Sequence, residues 1–161
     1  MGISSQRDKE TKMIQGFIHF GISVGNLEST LSFLCDGLGF EVRKRFERPQ
    51  DYTEKVTGVS DTTIQAALIS GYGVTLELLE YNARSDRPLK GVPIHYPGAA
   101  HICLEVDEIE VMISELSSKG AEFQEAITIV PFDLGKGNKV IYGRGPDGIT
   151  FEFVEKRKEK Q

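Results

Sequence analysis

Apolar and polar positions alternate from His19 onward. Phe20, Ile22 and Val24 fall on one side of an extended segment, and His19, Gly21 and Ser23 on the other, which is the period of a strand. The spacing then changes to that of a helix, with Leu27, Leu31 and Leu34 forming a stripe at i, i+4 and i+7. Gly39 stands where such a helix stops. The same succession returns later. Ile102, Leu104 and Val106 alternate with His101, Cys103 and Glu105, the stripe Ile109, Ile113 and Leu116 follows, and Gly120 closes it. Asp107 with Glu110 reads as a capping box for this second helix. Three more strands are predicted after each helix, at about 40–46, 64–70 and 74–80, then at about 122–129, 138–143 and 149–155. Gly71-Tyr72-Gly73 and Pro146-Asp147-Gly148 supply hairpin turns.

The recurrence extends to residue identity. At a constant offset of 82, His19 meets His101, Val24 meets Val106, Glu28 meets Glu110, Ser32 meets Ser114 and Leu34 meets Leu116. Each half closes on a related octet, GVTLELLE at 73–80 and GITFEFVE at 148–155. Two matched blocks in one order identify a duplicated β-α-β-β-β unit. The predicted fold is α+β: two paired βαβββ modules forming a curved, cup-like eight-stranded mixed sheet, with two helices outside it. Segment boundaries follow from the same pattern: a polar N-terminal segment at 1–15, a first module at 16–82, a proline-rich connector at 83–98, a second module at 99–155 and a charged tail at 156–161.

Composition narrows the function classes. The 161 residues carry a net charge of −5, the wrong sign for a nucleic-acid partner. No apolar run approaches the ~18 residues of a membrane span. Cys35 and Cys103 are too few for a disulfide framework and too far apart for a CxxC site. These features predict a cytoplasmic protein that acts on a small molecule. His95, in the connector, is expected to be exposed rather than catalytic.

The apolar face of each sheet must pack under its helix. The opposite face then carries His19, Glu77, His101 and Glu152, since Leu76 and Leu78 alternate with Glu77 and Phe151 and Phe153 alternate with Glu152. A repeated His/Glu pair in register on matching strands predicts one shared site. Two imidazoles and two carboxylates suit one divalent metal ion, with zinc, nickel, cobalt, manganese or ferrous iron matching a nitrogen–oxygen ligand set that has no sulfur. Four protein ligands in an octahedron leave two adjacent positions for a substrate with adjacent oxygens. Cys103 and Glu105 are predicted to face the cup, Tyr142 to line it and donate a hydrogen bond, and Arg43 to meet an anionic substrate group.

The segments IHFGISVGNLESTLSFLCDGLGFEV, AAHICLEVDEIEVMISELSSKG and YGRGPDGITFEFVE resemble the vicinal oxygen chelate superfamily, which includes glyoxalases, bleomycin-resistance proteins, extradiol dioxygenases and methylmalonyl-CoA epimerases. The resemblance spans about 16–155. It implies a cup built from paired modules, within one chain or across a homodimer, and places the family's metal positions at His19, Glu77, His101 and Glu152. This His/Glu/His/Glu set is similar to that of lactoylglutathione lyases. Ser23 stands where bacterial members of that branch often carry a glutathione-binding arginine. The resemblance implies a metal-dependent lyase or isomerase that moves a proton beside a metal-bound carbonyl, with Glu152 as first choice of base and Glu77 as second. The alternatives are a ring-cleaving extradiol dioxygenase using ferrous iron and a non-catalytic drug-binding protein.

Overall fold

A computed structural model describes residues 13–82 and 91–158. Residues 1–12 of the N-terminal segment, 83–90 of the connector and 159–161 of the tail lie outside the described residues. The first module runs β1 (Phe20–Val24), α1 (Leu27–Ser32), β2 (Glu41–Arg48), α2 (Gln50–Thr57), β3 (Ile64–Gly71) and β4 (Val74–Tyr81). The second runs β5 (His101–Val106), α3 (Ile109–Ser118), β6 (Glu122–Phe123), β7 (Thr128–Ile129), β8 (Lys139–Arg144) and β9 (Thr150–Glu155). Each module forms its own sheet. The orders are β1-β4-β3-β2 and β5-β9-β8-β6, with β7 also pairing β8. In both, the first strand runs parallel to the last and the other pairings are antiparallel.

The fold class read from the sequence is therefore the observed one, as two sheets of four and five strands rather than one continuous eight-stranded sheet. The predicted strand at 122–129 divides in two. From the Phe123–Gly143 pair to the Thr128–Val140 pair, one chain advances five residues while β8 moves back three, and the surplus bulges out of the ladder. Gly143 suits this corner because a Cβ there would lie 2.7 Å from the Phe123 ring.

Both amphipathic helices pack as their stripes require. Leu27 and Leu31 of α1, and Ile109 and Leu116 of α3, join Leu76, Leu78, Phe151 and Phe153 in one core that spans the two modules. Phe33 continues α1 through a π-helical turn, Phe33–Gly37, and its ring lies 5.7 Å from that of Phe151. The Pro146-Asp147-Gly148 turn also ties the modules together: Asp147 Oδ2 accepts from the Asn26 backbone N–H at 3.2 Å and from the Thr30 hydroxyl.

Two local expectations need correction. The Asp107/Glu110 capping box does not form. The residue before α3 is Glu108, which makes no side-chain cap bond, because Glu155 reaches across from β9 to accept the Ile109 N–H at 2.9 Å. The third α-helix, α2, was not among the expected elements. Its stripe is weak, with Tyr52 and Val56 about half exposed and only Thr53 buried. Its ends are marked all the same: Pro49 precedes it and the Gly58 N–H closes onto the Glu54 carbonyl.

Candidate metal centre

Strand register decides which side chains share a face. In the first module Gly21, Glu77, Leu68 and Lys44 form one row across β1-β4-β3-β2. In the second, Cys103, Glu152 and Tyr142 form the corresponding row across β5-β9-β8. Both glutamates point away from their helices, while Leu76, Leu78, Phe151 and Phe153 beside them fill the core. His19 immediately precedes β1, and His101 opens β5.

Each histidine meets its module's glutamate. His19 Nε2 lies 3.1 Å from Glu77 Oε2, and His101 Nε2 lies 3.0 Å from Glu152 Oε2. The surroundings of the two carboxylates differ. Glu77 is buried, and its Oε1 accepts from Arg48 Nη2 at 2.5 Å. Glu152 is more open, and its Oε2 also accepts from the Tyr142 hydroxyl at 3.0 Å. Burial and this hydrogen bond push the Tyr142 phenol up to about 12, so it remains a proton donor. The His101 and Tyr142 rings meet edge to face at 5.3 Å. Cys103, next in the row, stands beside Glu152, and burial followed by that carboxylate's charge raises its thiol above the ordinary value.

The predicted set thus appears as two pairs. Among the described residues no three His, Cys, Asp or Glu side chains gather closely enough in one chain to hold a single ion. Each pair supplies one imidazole nitrogen and one carboxylate oxygen at hydrogen-bonding range. That donor chemistry fits a divalent cation, and two such pairs brought together would supply four ligands.

The remaining predicted residues divide. Tyr142 and Cys103 stand beside Glu152. Ser23 lines a cavity of about 900 Å³ that runs along β1 and reaches His101, Asp147 and Thr150. Glu105 is drawn to Lys156 at the surface. Arg43 goes to Ser70 and to Glu41, 2.9 Å away, at an exposed edge rather than to either pair. The register shift between Val42 and Lys44 turns it there. The basic residue of β2 that reaches the His/Glu pair is instead Arg48, and it meets the protein's own Glu77. The sequence pattern ends β2 at 46 and so passes over Arg48. Its signal was the alternation Lys44, Phe46, Arg48 continuing to Pro49.

The family model of the Glyoxalase/Bleomycin resistance protein/Dioxygenase superfamily matches residues 16–153. A putative lactoylglutathione lyase of Brassica oleracea var. gemmifera is 23% identical over 144 residues, which cover 87% of this chain and 44% of that protein. The chain therefore spans less than half the length of the curated relative. A glyoxalase family protein from Bacillus cereus superposes with a TM-score of 0.77 at 19% identity, covering 94% of this chain and all of the other. The fosfomycin resistance protein FosX of Listeria monocytogenes, solved as a mutant with Mn(II) and a dihydroxypropylphosphonic acid, superposes with a TM-score of 0.56 at 17% identity over 88% of this chain and 90% of its own.

Proposed function

The chain belongs to the glyoxalase/bleomycin resistance protein/dioxygenase superfamily, and from that premise we propose that it is a metal-dependent lyase or isomerase of the glyoxalase type, acting as a homodimer on a small molecule with adjacent oxygens. The observation that carries this reading is the pair of equivalent half-sites, His19 with Glu77 and His101 with Glu152, on matching strands of the two modules. A full ligand set argues for catalysis over drug sequestration. Zinc, nickel, cobalt, manganese and ferrous iron all accept these donors.

The half-sites belong together across two copies of the chain. His19 and Glu77 of one protomer would face His101 and Glu152 of its partner. The approach to β1 supports this arrangement. Met13, Ile14, Phe17 and Ile18, each at least 80% exposed, crowd the segment leading into His19. So dense an apolar stretch on an isolated chain calls for cover.

When bound, a divalent cation supplies Lewis-acid polarisation of a substrate carbonyl. The chain's own residues do the rest. Glu152 takes the proton from the carbon beside that carbonyl and delivers it to the neighbouring carbon. Tyr142 keeps its proton and steadies Glu152 Oε2 while the carboxylate changes partners. Glu77, gripped by Arg48, keeps its place. Ser23 and the cavity beside β1 accommodate the rest of the substrate.

The test is elemental analysis of protein purified without chelator, followed by turnover of hemithioacetals, acyl-CoA epimers and catechols with and without oxygen. One divalent ion per chain and oxygen-independent turnover of a carbonyl substrate are expected. Turnover of a catechol that stops under anaerobic conditions would replace this reading with a ring-cleaving dioxygenase. Stoichiometric ligand binding with neither metal nor turnover would replace it with a binding protein.

A further inference from the structure

Arg48 ends β2 on the face that carries Glu77. The register places Lys44, Phe46 and Arg48 opposite Leu68, Ala66 and Ile64, and those opposite Glu77, Leu79 and Tyr81. From there Nη2 of Arg48 reaches Oε1 of Glu77 at 2.5 Å, while His19 lies at Oε2. The Glu77 side chain is 7% exposed and that of Arg48 22%, so water competes little for this bond.

Arg48 is itself held from several sides. Its guanidinium lies 5.3 Å from the centre of the Phe46 ring, in cation–π contact. Its backbone carbonyl accepts from the Thr53 hydroxyl at 3.3 Å, and the Thr53 N–H bonds to the Pro49 carbonyl at 2.9 Å. Thr53 is the buried residue of α2, so the helix that departs from the βαβββ plan anchors the residue gripping Glu77. The second module is built differently at this point. Among the described residues, no helix separates β7 from β8, and Glu152 receives a phenol where Glu77 receives a guanidinium.

We propose that Arg48 is the positioning residue of Glu77: by holding Oε1 it leaves only Oε2 for a cation, which makes Glu77 a one-oxygen ligand. The proposal rests on the reading of Glu77 as a metal ligand. Its consequence is a count of open positions. With Glu152 also bound through one oxygen, two imidazoles and two carboxylates would leave two positions of an octahedron for the two oxygens of a substrate. A Glu77 free to bind through both oxygens would take one of them. A fixed, planar guanidinium suits this task, and a lysine, whose ammonium is a mobile point charge, does not.

Cobalt(II) binding and its visible spectrum, read on the wild type and on Arg48→Met, Arg48→Lys, Glu77→Gln and the Arg48→Met/Glu77→Gln double variant, test the proposal. Arg48→Met should weaken Co2+ binding by roughly 10–100-fold, as loss of a ligand's supporting partner does. Its spectrum should shift towards higher coordination as Oε1 is released. Arg48→Lys keeps a cation beside the buried carboxylate, and so the fold, but should still alter the spectrum. In the Glu77→Gln background, Arg48→Met should have no further effect. Wild-type affinity and spectrum in Arg48→Met and Arg48→Lys, with binding impaired in Glu77→Gln, would overturn the role of Arg48 alone. Undiminished Co2+ binding by Glu77→Gln would overturn the ligand reading beneath it.

Discussion

Glu155, at the end of β9, accepts the first N–H of α3 from Ile109 at 2.9 Å. Glu80 does the same for Leu27 of α1 at 2.7 Å. The duplicated octets GVTLELLE and GITFEFVE therefore each carry two glutamates with opposite duties three residues apart. Glu77 and Glu152 face the candidate site, while Glu80 and Glu155 face the helices and satisfy N–H groups that have no partner within the helix.

The Glu155 cap makes stability depend on pH with a definite sign. The Ile109 N–H, assisted by Lys139, lowers the Glu155 pKa below its ordinary value of 4.5. A depressed carboxylate stabilises the fold at pH values above its unfolded pKa and loses that contribution as pH falls through the folded value. Glu155→Gln should melt below the wild type at pH 7, and the gap should narrow as pH drops below about 4, near the ordinary carboxylate range. Thermal melts of both proteins from pH 7 to pH 3 check this. A gap that widens on acidification would contradict it.

Tyr142→Phe removes the hydrogen bond to Glu152 and little else. Activity should fall roughly 10–100-fold, the usual effect of losing a group that orients a ligand. Because the phenol is pushed up to about 12, the wild-type profile should show no tyrosine ionisation between pH 8 and pH 10. An alkaline limb in that range that vanishes in Tyr142→Phe would show the phenol ionising where the structure keeps it protonated.

Cys103 is exposed yet should react slowly. Burial of the thiol first, and the Glu152 charge second, raise its pKa above 9.0, so the reactive thiolate is scarce at neutral pH. Iodoacetamide at pH 8 should modify Cys103 more slowly than a free thiol. Glu152→Gln should recover part of the rate, because only the charge contribution is removed. Mass spectrometry of timed samples provides the measurement. Modification at the free-thiol rate would show that the thiol pKa is not raised.

The sequence shows most of this fold because its signals are repeated. The matched strand–helix pattern at His19 and His101, and the paired octets, place both modules and put Glu152 and Tyr142 on one face. Where it misled, a local signal met a non-local competitor. Asp107 offers a capping box, but Glu155 arrives from the far end of the module. Arg43 sits on a strand that a register shift twists outward, a feature that no alternation predicts. The α2 helix lacks a strong apolar stripe because it buries one threonine, and Arg48 was hidden with it. No periodicity reveals that the two His/Glu pairs do not gather in one chain, since that depends on how the sheets are set against each other.

In the proposed homodimer a single site draws His19 and Glu77 from one protomer and His101 and Glu152 from the other. Two inactive variants, His19→Ala/Glu77→Ala and His101→Ala/Glu152→Ala, carrying different tags are co-expressed, and the mixed dimer is isolated through both. Neither variant alone should retain metal. In the mixed dimer one site unites both losses and the other is intact, so a shared site gives one divalent ion per dimer and about half the wild-type activity. A mixed dimer as empty as its parents would place all four ligands within one chain and contradict the shared site.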